Sequence, residues 1–350
     1  MRMKMRVIYT YLQRVCLLVA VVMLSSACNG DESNDLGAIS FGTSTDLVSR
    51  AAIYSNGELQ EACLNKAQSI GIYGTATTSQ TPTPVEVFSN DALYYDGSEW
   101  TYDNLRYWAY GAKYDFAAIF PRSTSYTYNS STGDLSWKNI TLSSSNNMDL
   151  MYATAQRDLS VSADTSTPVT LPLKHAFALV EFWFVNASDS SVASVTNVAL
   201  TNVCNQGEFS LSKNGTAKLT VNSTKNSTAY TGNLATTNIP VNVAKQYNLF
   251  GNLGSTSGEV YDSDQNVTRV GSGSVVVMPQ LLLGANPVKL QMKVSTQSST
   301  SAVTLGVSGG IEEWKAGEKY VYVLTLTSTK ITFEVRVLNW IDDEIELEDR

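Results

Sequence analysis

Short runs of alternating or β-branched apolar residues recur along the chain: AISF (38–41), VEVF (85–88), ALYY (92–95), KLTV (218–221), SVVVM (274–278), VKLQMKV (288–294) and YVYVLTL (320–326). A period of two turns one side of each run toward a core and the other toward solvent. Short, regularly spaced strands joined by Gly, Asn and Ser predict β-sandwiches rather than βαβ units. Tight hairpins are predicted at Asp96-Gly97, between ALYY and EWTY, and at Gly133-Asp134, between YTYNSS and LSW. The best helical candidate is NGELQEACLNKA (56–67), where Leu59, Cys63 and Ala67 share a face. Ser/Thr-rich stretches at 141–147, 186–196 and 222–237 read as exposed loops, and no repeat of fixed period is visible.

The start of the chain follows another pattern. Arg2, Lys4, Arg6 and Arg14 occur without an acid, then come an apolar run from Val15 to Leu24 and the small residues Ser25, Ser26 and Ala27 before Cys28. That is the layout of a secretory signal, and the apolar run is short of the roughly 20 residues that span a bilayer. Small residues directly before a cysteine resemble a bacterial lipobox, in which Cys28 is acylated and becomes the first residue of the mature chain. The plainer alternative is cleavage near Ala27 with a free thiol. Acylation would hold the protein to a membrane, since each buried methylene contributes about 0.8 kcal/mol.

Composition adds limits. Of 350 residues, 43% are hydrophobic and 16% charged, enough for about two domains with real cores. The formal net charge moves from −8 to about −12 once a signal holding four bases and no acids is removed. That excludes the basic footprint of a nucleic-acid binder. Beyond Cys16 and Cys28 only Cys63 and Cys204 remain, which either pair in an oxidising compartment or stand as separate thiols.

The search for chemistry returns little. The single histidine, His175, sits in VTLPLKHAFALVEFWFV, where a packed histidine is the expected reading rather than a base. No Gly-x-Ser-x-Gly elbow occurs. GSGSVV at 271 lacks the third glycine of a dinucleotide fingerprint. DSDQN at 262–266 opens like a calcium loop but has Val267 at the turn glycine and Gly273 at the bidentate glutamate. Glu312-Glu313 and Asp342-Asp343, as neighbours on strands, point to opposite faces and cannot flank one bond. The expectation is therefore a non-enzyme with no metal and no cofactor.

Aromatic residues concentrate at 98–121, where Trp100, Tyr107, Trp108, Tyr110, Tyr114, Phe116 and Phe120 form either a sugar-stacking platform or a sandwich core. The run EW…YW…YDFAAIFP, then DLMYATA (149–155), LPLKHAFALVEFWF (171–184), EEWKAGEKYVYVLTL (312–326) and ITFEVRVLNW (331–340), resembles the fimbrillin-like lipoproteins of Bacteroidetes, the type V pilins. The resemblance covers most of the mature chain in order and favours the core reading.

The resemblance implies an all-β protein of two tandem transthyretin-like β-sandwich domains after a lipoprotein signal peptide. The ranges expected are 1–27 for the signal, 28–50 for a lipidated tether with the first strand, and 51–167 and 168–350 for the two sandwiches. Asp31, Glu32 and Asp35 resemble the acidic export signal of surface lipoproteins in that group; alternatively they solvate a tether. It implies location at the outer membrane, exposed at the cell surface, and in a fimbrium or pilus once processed. It also implies cleavage by an arginine-specific protease, for which Arg50 before Ala51 is the candidate site. Ile39 and Phe41 alternate as an edge strand would, and loss of that strand opens a groove for another chain. Ile331, Phe333, Val335 and Val337 alternate toward the end of the chain, and Ile345 and Leu347 alternate in the final stretch and are the candidate donor residues, although the closing IDDEIELEDR carries six acids. The partners implied are other fimbrial subunits, the outer membrane through the lipid, and a host or glycan receptor. The alternative is a lipid-anchored carbohydrate-binding protein of a glycan-uptake system, using exposed members of the aromatic cluster.

Overall fold

Tyr, Val, Ile and Thr crowd the segments that form strands, because branched and aromatic side chains fit a pleated, half-buried surface. The computed structural model describes residues 36–44, 56–143, 148–161, 165–186, 194–222, 226–227, 239–240, 267–269, 275–294, 301–306, 310–326 and 331–339. Cys28, Arg50, Ala51, Ile345 and Leu347 lie outside the described residues, as does the stretch at 262–266. The described residues from Gly37 onward fall in one compact unit.

The elements begin with β1 (Phe41–Ser44), α1 (Asn56–Ala62), β2 (Ile70–Thr77), β3 (Val85–Tyr95), β4 (Trp100–Tyr102), β5 (Lys113–Phe120), β6 (Tyr126–Asn129), β7 (Asp134–Thr141) and β8 (Met151–Asp158). There follow β9 (Val169–Pro172), β10 (Lys174–His175), β11 (Ala178–Asn186), β12 (Ser194–Thr201), β13 (Val203–Cys204), β14 (Gln206–Leu211), β15 (Ala217–Val221), β16 (Asn226–Ser227) and β17 (Ile239–Pro240). The last are β18 (Val267–Arg269), β19 (Val275–Val277), β20 (Gln280–Leu281), β21 (Lys289–Val294), β22 (Ser301–Thr304), β23 (Glu313–Trp314), β24 (Glu318–Leu326) and β25 (Ile331–Asn339). The protein is all-β apart from one short helix among the described residues.

Six antiparallel strands make the sheet that positions the site, in the order β10-β8-β5-β2-β3-β4. Its central strands β2 and β5 are buried along nearly their whole length, so both faces are covered. One face carries Tyr73, Ala117 and Ile119 and packs into the main core with Tyr126, Leu135, Ile140 and Phe209. Those partners come from a second sheet, β15-β14-β7-β6. Strand β14 lies beyond residue 168 and pairs with β7, while β10 pairs with β8, so strands from both sides of that residue share two sheets. The same core continues through Phe177, Phe182, Leu290, Trp314 and Tyr322, between the sheets β18-β11-β24-β25 and β17-β12-β21-β22. There Phe182 stacks on Tyr322 at 5.4 Å, and the indole N–H of Trp314 donates to the Tyr322 hydroxyl at 3.0 Å.

Both predicted hairpins form. In β3 to β4, Gly97 takes a φ of 107° and the Asp96 carboxylate accepts the backbone N–H groups of Ser98 and Glu99, which holds its pKa below the ordinary carboxylate value. In β6 to β7, Gly133 takes a φ of 76° directly before β7. The helix is shorter than its periodicity predicts. Leu59 and Cys63 are buried as expected, but Ala67 is exposed. After Ala62 the backbone turns to pair with the end of β3: Tyr95 N–H donates to Cys63 O at 3.2 Å and Asn65 N–H to Tyr95 O at 2.9 Å. Backbone bonds to a strand outcompete another helical turn, and Asn65 and Lys66 adopt left-handed conformations to make them. VEVF and ALYY are one strand rather than two, because Ser89 and Asp91 pair with β2 and a register shift absorbs Asn90 between them.

On the opposite face of the six-stranded sheet, Gly74 pairs directly with Phe88 on one side and Phe116 on the other. A Cβ there would stand 2.9 Å from Cδ1 of Phe116 and 3.2 Å from Cδ2 of Phe88, so only glycine lets both rings lean together. Gly74→Val is expected to destabilise the protein by about 1–3 kcal/mol, the usual cost of overpacking. Urea unfolding checks this, with a lower midpoint and an unchanged m-value.

A candidate strand-insertion site

The site is built on the glycine floor just described. Phe88 on β3, Tyr102 on β4 and Phe116 on β5 project from one face of the sheet, and Phe41 of β1 descends among them. The ring of Phe41 makes edge contacts with Phe88 at 5.5 Å, Tyr102 at 5.9 Å and Phe116 at 5.4 Å. Such pairs contribute beyond their buried area, and three rings, with Phe88 also touching Tyr102 and Phe116, form a cage around the inserted one. Ile39, two residues earlier, is also fully buried.

Backbone bonds hold this segment on both sides. On one side it meets the connection between β4 and β5: Ala38 bridges Tyr107, Ile39 N–H donates to Arg106 O at 2.8 Å, and Trp108 N–H donates to Gly37 O at 3.3 Å. On the other side β1 runs parallel to β9, with Phe41 opposite Val169 and Thr43 opposite Leu171, and Val169 N–H donates to Ser40 O at 2.8 Å. The Tyr102 hydroxyl donates to Ile39 O at 2.8 Å, and burial raises its pKa above the ordinary phenol value. Phe41 is therefore a strand residue as predicted, Ile39 is a buried residue two positions before the strand, β1 has β9 as its one paired strand among the described residues, and the residues just before it bond to the β4–β5 connection.

Arg106 fixes the rim. Its guanidinium pairs with Asp91 at 3.2 Å, donates to Val87 O at 3.1 Å and lies 5.5 Å from the centre of the Phe88 ring. Arg157 does the same on the far side, lying over Trp108 at 5.8 Å and donating to Thr167 and Pro168 just before β9. Both cations act as struts that orient apolar walls. The aromatic cluster divides accordingly. Trp100, Trp108, Tyr114, Phe116 and Phe120 are buried, as a sandwich core requires, whereas Tyr107 and Tyr110 face solvent at 62% and 74% exposure.

The remaining sequence candidates have structural settings. His175 is buried, with Nδ1 2.9 Å from the Asp149 carboxylate. Cys63 and Cys204 are not joined in a disulfide, and burial pushes the Cys63 thiol up to about 12. Among the described residues no group of three or more His, Cys, Asp or Glu is placed to hold a metal ion. Sequence reasoning missed the roles of Phe88, Tyr102, Arg106 and Val169. The buried-exposed alternation of VTLPL was the available sign for β9.

Phe41→Ala is expected to cost about 3–5 kcal/mol, as for a large side chain removed from a filled cavity. Thr43→Ala, at a half-buried position of the same strand, is expected to cost under about 1 kcal/mol. Thermal unfolding of the two variants side by side measures the difference. Cys63 is expected to resist iodoacetamide at pH 8 until the protein is unfolded, because its thiolate forms only near pH 12.

The sequence profile of the fimbrillin-like family matches residues 50–340. No curated protein matches the chain in sequence. Among solved structures, a fimbrial protein from Bacteroides vulgatus aligns over 87% of this chain and 99% of its own, with a TM-score of 0.54 and 16% identity. A protein from Bacteroides uniformis proposed to act in cell adhesion aligns over 89% and 100%, with a TM-score of 0.49 and 14% identity. The tip fimbrial protein Mfa3 from Porphyromonas gingivalis aligns over 78% and 95%, with a TM-score of 0.39 and 10% identity. With 291 consecutive residues under the family profile, the chain belongs to the fimbrillin-like family.

Proposed function

We propose that this protein is a structural subunit of surface fimbriae, exported as a lipoprotein anchored through Cys28 to the outer face of the outer membrane and serving adhesion without catalysis. The chain is read as two tandem transthyretin-like sandwiches, 51–167 and 168–350, with β14 and β15 completing the first. Assembly proceeds by strand exchange after cleavage between Arg50 and Ala51. Its partners are other fimbrial subunits.

The observation that carries this reading is the enclosed segment at 37–44. It precedes Arg50, covers an aromatic face, and touches its neighbours through backbone bonds on both sides. Cleavage after Arg50 would free it from the body of the protein. Its departure would uncover Phe88, Tyr102 and Phe116 and leave the N–H groups of Trp108 and Val169 without their present partners. Unpaired buried groups cost about 1–3 kcal/mol each, so the vacated groove favours another strand. In the donor, Ile345 and Leu347 would face inward with Glu344, Glu346 and Glu348 outward.

The test is the N-terminal sequence and intact mass of the protein taken from the surface of cells that produce it. We expect chains beginning at Ala51 within polymers, Arg50→Ala to leave lipidated monomers beginning at Cys28, and Ile345→Asp with Leu347→Asp to leave cleaved monomers. Polymers formed by Arg50→Ala chains that retain Cys28 would refute the mechanism.

A further inference from the structure

We propose that the connection between β4 and β5, through Leu105, Tyr107 and Tyr110, rests on the lipid surface to which the uncleaved chain is tethered. The proposal depends on acylation of Cys28, the anchor assigned above. Leu105, Tyr107 and Tyr110 are 53%, 62% and 74% exposed, and all three fall within six consecutive residues. Exposed apolar side chains gathered on one short connection mark an interaction surface.

Position selects the partner. The N-terminal segment lies against this connection, with Gly37 O accepting from Trp108 N–H and Ala38 bridging Tyr107. Leu36, the first described residue, is eight residues from Cys28. Eight extended residues reach at most roughly 29 Å, and as a coil about 16 Å. Wherever the acyl chains would enter a bilayer, Leu36 would be held within that radius of it, and Tyr107, bridged to Ala38 two residues on, only a little further away.

Chemistry agrees with position. Tyrosine is enriched where a bilayer meets water, its ring among apolar groups and its hydroxyl in the wet layer. The charges beside these residues are compensated in pairs: Asp103 with Lys66 at 2.7 Å and Arg106 with Asp91 at 3.2 Å. Paired charges lower the cost of bringing the loop toward an apolar layer. A sugar site, by contrast, calls for polar groups converging on the stacking ring, and the carboxylates and cations here are already engaged with one another.

Hydroxyl-radical footprinting read by mass spectrometry tests this on the full chain. Acylated protein is placed on vesicles of phosphatidylethanolamine and phosphatidylglycerol and compared with unacylated Cys28→Ala protein in solution. Oxidation of Tyr107 and Tyr110 is expected to fall severalfold on vesicles, while Leu281, 68% exposed in the other half of the chain, stays equally oxidised. In the acylated Tyr107→Ser, Tyr110→Ser variant, Leu105 is expected to lose its protection. Unchanged oxidation of both tyrosines in protein whose mass confirms the acyl chains would overturn the contact alone. A mass without acyl chains would overturn the anchor reading and the contact with it. Protection that requires added oligosaccharide and not vesicles would assign the loop to a glycan.

Discussion

The insertion of Phe41 among Phe88, Tyr102 and Phe116 is the contact from which the first half of the structure is organised. It explains a glycine at position 74, because any side chain there would push Phe88 and Phe116 apart. It explains Arg106, whose guanidinium braces the Phe88 ring while its carbonyl receives Ile39 N–H. It also explains why a six-stranded sheet with two apolar faces is sealed on one side by a full sheet and on the other by short segments.

A strand is a suitable cover for such a face because it satisfies its neighbours' backbone groups while it fills their cavity. The segment at 37–44 does both, with Tyr102, Arg106 and Trp108 on one flank and Val169 on the other. Those groups would be equally satisfied by any strand of suitable length and alternation, since backbone bonds carry no sequence information. Side-chain fit supplies the choice: one large apolar side chain at the Phe41 position and another two residues away.

Much of this was legible in the sequence. Alternation located the strands, and Asp96-Gly97 and Gly133 located the two hairpins, because positive-φ turn positions leave a compositional mark. Ile39 and Phe41 announced an extended segment with one buried face, of which Phe41 opens the strand. What the pattern could not announce was the parallel partner β9, which lies 128 residues from β1, because pairing over that distance is set by the whole fold. The division of the aromatic cluster into buried Trp100 and Trp108 and exposed Tyr107 and Tyr110 was equally illegible, since the connection carrying them has no strand period. The end of the helix was mispredicted because a backbone partner, Tyr95, waited on the next strand.

The most direct test of the replaceable cover is thermal unfolding of protein from which residues up to Arg50 have been removed, alone and with a peptide of residues 341–350. The account predicts that the truncated chain melts below the intact one and that the peptide restores its melting temperature, whereas a peptide with Ile345→Asp and Leu347→Asp does not. A truncated chain that melts like the intact protein, or equal rescue by both peptides, would contradict it.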